Sequence, residues 1–244
     1  MYKKQLSSIE ISFYSLLKNN SNFDFVLFPE KIENEVGYFP LLESGNLLGK
    51  DKKYYVLAMQ AIAKFHHFIK TQPLPFVEID EDYYARSLKN TLDYAVDQNV
   101  ELPTKQINEL QDSFKLIGDK FQLIHDDFLP QNVVVDHDEV KIIDWEDMKY
   151  GFAEHDIGRF LGDLDAKNPQ WDKKYYPQQW HDSLIDTYVQ NRQRLDPSYD
   201  VDIGKQQILL GEMWNYLGPI EMCLNRGEIN SNWFLANIKA LENS

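Results

Sequence analysis

The chain has 244 residues with 25 basic and 39 acidic side chains, a formal net charge of −14, which argues against nucleic acid as the main partner and suits a cationic small molecule. Apolar residues at 43% and aromatics at 14% suffice for a sizeable core, in one large domain or two lobes around a cleft, and argue against disorder. One cysteine, Cys223, excludes an internal disulfide; no amino-terminal run fits a secretion signal and no stretch approaches the ~18 apolar residues of a membrane span, so a cytoplasmic protein without a membrane partner is expected.

The first predicted element is a helix over residues 5–17. Ser7 or Ser8 can cap it, and Ile9, Phe13 and Leu16 or Leu17 recur at helical spacing. Residues 23–29, Phe-Asp-Phe-Val-Leu-Phe-Pro, read as a strand ended by proline. Residues 35–43 read as the next strand, and Ser44-Gly45-Asn46 as a turn into a larger helical part. Residues 51–70 form a helix with Tyr55, Met59, Ile62, His66 and Ile69 on one stripe, which makes His66 a core histidine. Pro73 and Pro75 end that region. A helix over 81–96 carries Tyr84, Leu88, Leu92 and Ala95 on one face. Another starts at Pro103-Thr104, runs through Ile107, Leu110, Phe114 and Ile117, and closes at Gly118. Further along, residues 154–164 read as a helix and 166–177 as a loop. Helices follow over 180–194, over 201–225 with a kink at Pro219, and over 233–241.

Between these helices lies His125-Asp126-Asp127-Phe128-Leu129-Pro130-Gln131-Asn132, with Asp144-Trp145 beginning twelve residues after Asn132. An apolar run at 121–124 leads in. Val133-Val134-Val135 and Val140-Lys141-Ile142-Ile143 flank the turn Asp136-His137-Asp138-Glu139, so they read as a β-hairpin. An isolated Asp before a strand is commonly a turn former; here the whole set carries the reading. One carboxylate can deprotonate an acceptor hydroxyl, while an amide oxygen and a second carboxylate can hold Mg²⁺ on nucleotide phosphates.

His125, Asp127 and Asn132 stand in the H-x-D-x-x-x-x-N spacing of a kinase catalytic loop. With Asp144-Trp145-Glu146 and Asp156-Ile157-Gly158-Arg159, the stretch resembles the aminoglycoside phosphotransferase/choline kinase family of small-molecule kinases. The resemblance implies an α+β, protein-kinase-like, two-lobed fold. Residues 1–44 would form a partial β-containing N-lobe and hinge, and residues 45–244 a mainly helical C-lobe. It implies ATP and Mg²⁺ as cofactors, Asp127 as base, His125 as a brace of the loop, and Asn132 and Asp144 as Mg²⁺ ligands. Asp126 stands where the family often has glycine and would be a solvated neighbour of Asp127. Asp156 would tie its helix to the loop, and Arg159 could pair with a nearby carboxylate.

For the nucleotide, Glu10 would take the place of the helix carboxylate that pairs with a phosphate-binding lysine. Lys3 or Lys4 is the partner available upstream, six or seven residues away. Backbone groups of Leu42, Glu43 and Ser44 would meet the adenine. The first glycine is Gly37, so the chain departs from the family in lacking a glycine-rich loop ahead of these elements and is expected to begin near the third strand. The acceptor is expected to be a small hydroxyl compound of the aminoglycoside, choline-like or sugar-amine class. Glu212, Trp214 and Glu221 could bind its cation by charge and ring face. The alternative reading is a catalytically weak or inactive binding module on the same fold.

Overall fold

The structure, a computed structural model, describes residues 1–18, 20–42, 45–70, 82–117, 121–162 and 176–244, the side chains of 114–116 excepted. The expectations placed on Glu43, Ser44, Pro73, Pro75, Gly118 and most of the 166–177 loop lie outside these residues.

Strand β1 (Tyr2–Gln5) runs into helix α1 (Ser8–Leu17), and β2 (Lys31–Glu33) and β3 (Val36–Phe39) complete an antiparallel sheet of order β1-β3-β2. The helix starts at the Ser7 cap the sequence offers, while Gln5, read as its first residue, belongs to β1. Ser7 and Glu10 form a reciprocal capping box, with Ser7 Oγ accepting from the Glu10 N–H and Glu10 Oε2 from the Ser7 N–H, both at 3.1 Å. Asn34 and Glu35, both at positive φ, make a two-residue loop of the handedness a hairpin needs. Gly37 lies inside β3, where a Cβ would stand 2.8 Å from the Phe39 ring and 2.9 Å from Leu6. It is a packing glycine between the two other strands.

Residues 23–29 do not form the expected strand. Ser21–Phe23 is a 3-10 turn, and Val26 makes one isolated parallel bridge to Ile142. Phe23, Phe25 and Val26 are all buried in the same core, so the run serves packing with no alternation of faces.

The larger part opens with α2 (Lys52–Ile69), α3 (Tyr83–Asp97) and α4 (Thr104–Ile117). Two small antiparallel pairs follow: β4 (Gln122–Ile124) with β7 (Lys149–Gly151), and the hairpin of β5 (Val133–Asp136) with β6 (Glu139–Ile142). Helices α5 (Glu154–Gly162), α6 (His181–Leu195), α7 (Val201–Arg226) and α8 (Asn232–Glu242) complete it. One core joins α1, α2, the hairpin, α5 and α6; a second joins α3, α4, α7 and α8.

The contact that sets the site is the crossing of α5 on α7. A Cβ on Gly158 would lie 2.2 Å from the backbone carbon of Gly211, so only glycine permits this approach. It brings Arg159, next to Gly158, opposite Asn215, one turn beyond Gly211. Helix α7 continues through Pro219, whose missing N–H leaves the Asn215 carbonyl outside the helical ladder.

Candidate active site

The loop after β4 is held from below by Asp156 on α5. This carboxylate is fully buried. It accepts from the His125 N–H (2.8 Å), the Asp126 N–H (2.8 Å) and the His66 ring (2.9 Å). Burial alone would raise its pKa; the hydrogen bonds from the His66 ring and the His125 N–H outweigh that and hold it below the ordinary range. His66 is the core histidine expected on α2. Burial keeps it neutral despite Asp156, so its Nε2–H donates to Asp156 and its Nδ1 accepts from the Tyr188 hydroxyl at 2.8 Å. Asp126 sits at φ 64°, a left-handed conformation that favours glycine. It is no solvated bystander. Lys149 bonds it at 2.9 Å and His155 lies 3.5 Å away, and its pKa rises, first through burial.

His125 is the brace expected of it. Its Nε2–H donates to the Ile143 carbonyl at 2.9 Å, its Nδ1 accepts from the Asp127 N–H at 3.3 Å, and its ring lies 4.4 Å from that of Trp145. The Ile143 N–H in turn donates to the Asn132 carbonyl at 3.0 Å. These bonds bring the end of β6, and with it Asp144, against the loop. Asp144 takes φ 68° at the start of the turn Trp145–Asp147. Both amide donors of Asn132 go to Asp127, at 2.8 Å to its carbonyl and 2.7 Å to Oδ2. That turns the Asn132 amide oxygen away from Asp127, as an acceptor for a cation. The other carboxylate oxygen of Asp127 accepts from Arg159 Nη2 at 2.7 Å, and Arg159 also donates to Asn215 Oδ1 at 3.1 Å.

Lys4, on β1, meets the same cleft from the opposite side. Its ammonium donates to Glu10 Oε1 at 2.9 Å, bonds Asp144, and lies 3.2 Å from Glu146 Oε2. Glu10 is fully buried. The separation of six residues suffices because the strand turns directly into the capped helix, folding Lys4 back over the first turn. Burial would pull the Lys4 pKa down; the bonds to Asp144 and Glu10 outweigh it and raise it. Lys3 points elsewhere, 5.3 Å from the centre of the Tyr38 ring. Trp145 joins the two sides, stacked on Phe13 of α1 at 4.6 Å. Leu42 is half-buried, and the segment after the undescribed 43–44 pairs with the hairpin through Asn46–Val134 and the Leu47 N–H to the Val133 carbonyl at 2.8 Å.

The cleft is electronegative. Asp147 is driven above its ordinary range by burial and then by Asp127, Glu146, Asp126 and Asp144. Among the described residues no three His, Cys, Asp or Glu side chains converge as a self-sufficient metal site. A cation held by Asn132 and Asp144 would draw its other ligands from phosphates and water, the usual habit of Mg²⁺. The donor set, two oxygens in an acidic cleft, fits that ion.

The sequence model of the phosphotransferase enzyme family matches residues 35–200. The chain belongs to this family. Solved structures with the same fold include Plasmodium vivax ethanolamine kinase (TM-score 0.62, 14% identity, over 96% of this chain and 70% of that one). Choline kinase from Cryptosporidium parvum gives a TM-score of 0.58 at 13% identity, over 100% and 78% of the two chains. The GDP complex of aminoglycoside 2′-phosphotransferase-IIIa gives 0.61 at 14%, over 96% and 80%. No curated protein sequence matches. The likeness shows the fold: α+β, kinase-like, with a small β-containing part ahead of a mainly helical one.

This phosphotransferase fold opens a cavity of about 780 Å³ between α4, α7 and α8, beside His181; Asp127, Asn132 and Asp144 do not line it. Glu212 and Tyr216 line it, flanking the Asn215 that holds Arg159. Glu212 meets His181 Nε2 at 2.5 Å. The other two residues considered for a cation do not border the cavity. Trp214 is buried in the second core, 5.1 Å from the Tyr84 ring. Glu221 bonds Ser87 at 2.6 Å and Asn90 at 3.3 Å, tying α7 to α3.

Sequence reasoning missed Glu146 beside Lys4, Lys149 on Asp126, and Asn215. It left open the partner of Arg159, which is the carboxylate of Asp127 itself. Asp147-Met148-Lys149 carries no motif; only the β4–β7 pairing brings Lys149 onto the loop.

Proposed function

We propose that the chain transfers the γ-phosphoryl group of ATP to a hydroxyl of a small molecule. The observation that carries this reading is the convergence of Asp127, Asn132, Asp144 and the Lys4–Glu10 pair on one cleft. Lys4, anchored by Glu10, would bind nucleotide phosphates. Asn132 and Asp144 would hold Mg²⁺, which when bound neutralises charge developing on the phosphoryl oxygens. Asp127, oriented through both carboxylate oxygens by Asn132 and Arg159, retains a second lone pair on each. It accepts the proton of the acceptor hydroxyl as that oxygen attacks the γ-phosphorus in line. The net charge of −14 and buried Glu212 favour an amine-bearing acceptor of the aminoglycoside, choline-like or sugar-amine class.

One observation favours a second reading, a weak or inactive kinase-like binding module: Asp127 and Asp144 are each already paired with an internal cation. Turnover separates the two. Asp127→Asn should lower phosphoryl transfer by at least about a hundredfold while the melting temperature stays near that of the parent chain. Near-parental turnover would sink the assignment of the base.

A further inference from the structure

Lys4 bears more ionic contacts than a phosphate-binding lysine needs. An ammonium has three donors, and here Glu10, Asp144 and Glu146 surround it. The three partners differ. Glu10 is fully buried and fixed at its second oxygen by the Ser7 N–H. Asp144 and Glu146 are 35% and 47% exposed and face solvent. The lysine is therefore anchored at one end and exchangeable at the other.

We propose that Lys4 is the resident counter-ion of the cation site: without nucleotide it occupies Asp144 and Glu146 and keeps free divalent cations out, so metal enters only together with the phosphates that draw Lys4 away. The inference rests on the reading of Asp144 as a cation ligand. Its physical basis is short-range charge. A free dication approaching Asp144 meets an ammonium already bonded there, and in a partly screened cleft that repulsion is strong. A metal–nucleotide complex brings its own negative oxygens. These offer Lys4 new partners while Glu10 keeps hold of it, so Asp144 is released as the metal arrives. The lysine thus makes the site select a metal–nucleotide complex over the bare ion.

The test is Mn²⁺ titration of the full chain without nucleotide, with bound ion read by electron paramagnetic resonance. Parent, Lys4→Met, Lys4→Gln and the double variant Lys4→Met/Asp144→Asn are compared, with folding checked by circular dichroism. Lys4→Met should bind Mn²⁺ about tenfold more tightly than the parent, and the gain should vanish in the double variant. Lys4→Gln removes the charge yet keeps a hydrogen-bonding side chain. It should show the same gain, and it decides the matter if the Met variant fails to fold. No gain in either variant, or a gain that survives Asp144→Asn, would overturn the proposal. Failure of the parent chain to bind Mg²⁺ with ATP would instead count against the phosphotransferase reading, because the Mn²⁺ comparison is made without nucleotide.

Discussion

Two ionic centres flank the loop that carries Asp127 and Asn132, and they are built in opposite ways. Below it, Asp156 is fully buried and bonded by two backbone N–H groups and a neutral histidine. Above it, Lys4 is shared among three carboxylates, two of them open to solvent. Two of the three partners of Asp156 are main chain and cannot leave without unfolding the loop. Those of Lys4 are mostly flexible side chains that can exchange. A buried ion bonded by backbone holds a shape; a partly exposed ion among side chains can be handed to a ligand.

The largest expected effect is on the lower centre. Asp156→Ala orphans the His125 and Asp126 N–H groups and should cost about 3–5 kcal/mol in urea-induced unfolding. A loss below about 1 kcal/mol would erase the contrast with an exposed ion pair. A second effect separates the two centres by pH. Burial holds His155 down to about 3, and His66 is lowered as well. Below about pH 6.5 the unfolded chain takes up protons on these histidines that the folded chain refuses. Stability therefore falls with falling pH, by about 1.4 kcal/mol per unit for each histidine. Asp156, held low, acts in the same direction at lower pH: its contribution is present above the unfolded carboxylate value and lost as pH falls through the folded one. Lys4, held high, works in the opposite window. Its contribution is present below the unfolded lysine value and lost only as pH rises through the folded one. Chemical denaturation of His155→Gln at a series of pH values should give a shallower acid slope than the parent chain. An unchanged slope would mean that His155 protonates freely in the folded protein.

These centres were unequally legible in the sequence. The loop and its hairpin could be read because their residues are close together in one local pattern; the tie from Asp156, 30 and 31 residues from the N–H groups it accepts, was implied only by the family resemblance. The stripe on α2 could be read because every member faces the core. The strands β1 and β2 are three or four residues long and largely exposed, so they carry no alternation to detect. The aromatic run at 23–29 looked like a strand because apolar content alone does not separate a buried strand from a buried turn. Lys4–Glu10 was readable only as a possibility, because the strand-to-helix turn that joins them is a matter of backbone direction. Arg159–Asp127 spans 32 residues and follows from the glycine crossing of α5 and α7, which no local pattern announces. The residue types of the proposed site were legible; the partners of Asp127 and Asp126 were not.

Lys4, Asn132 and Asp144 are proposed to form one site for ATP and Mg²⁺ together. A thermal-shift titration with ATP, with Mg²⁺, and with both tests it most directly. A ligand at about a hundredfold its dissociation constant stabilises the folded state by ~2.7 kcal/mol, which is readily seen as a rise in Tm. The predicted result is a shift with ATP and Mg²⁺ together that exceeds the sum of the separate shifts and is lost in Asp144→Ala. No shift under any of the three conditions, or an ATP shift indifferent to Mg²⁺ and to Asp144, would contradict the claim.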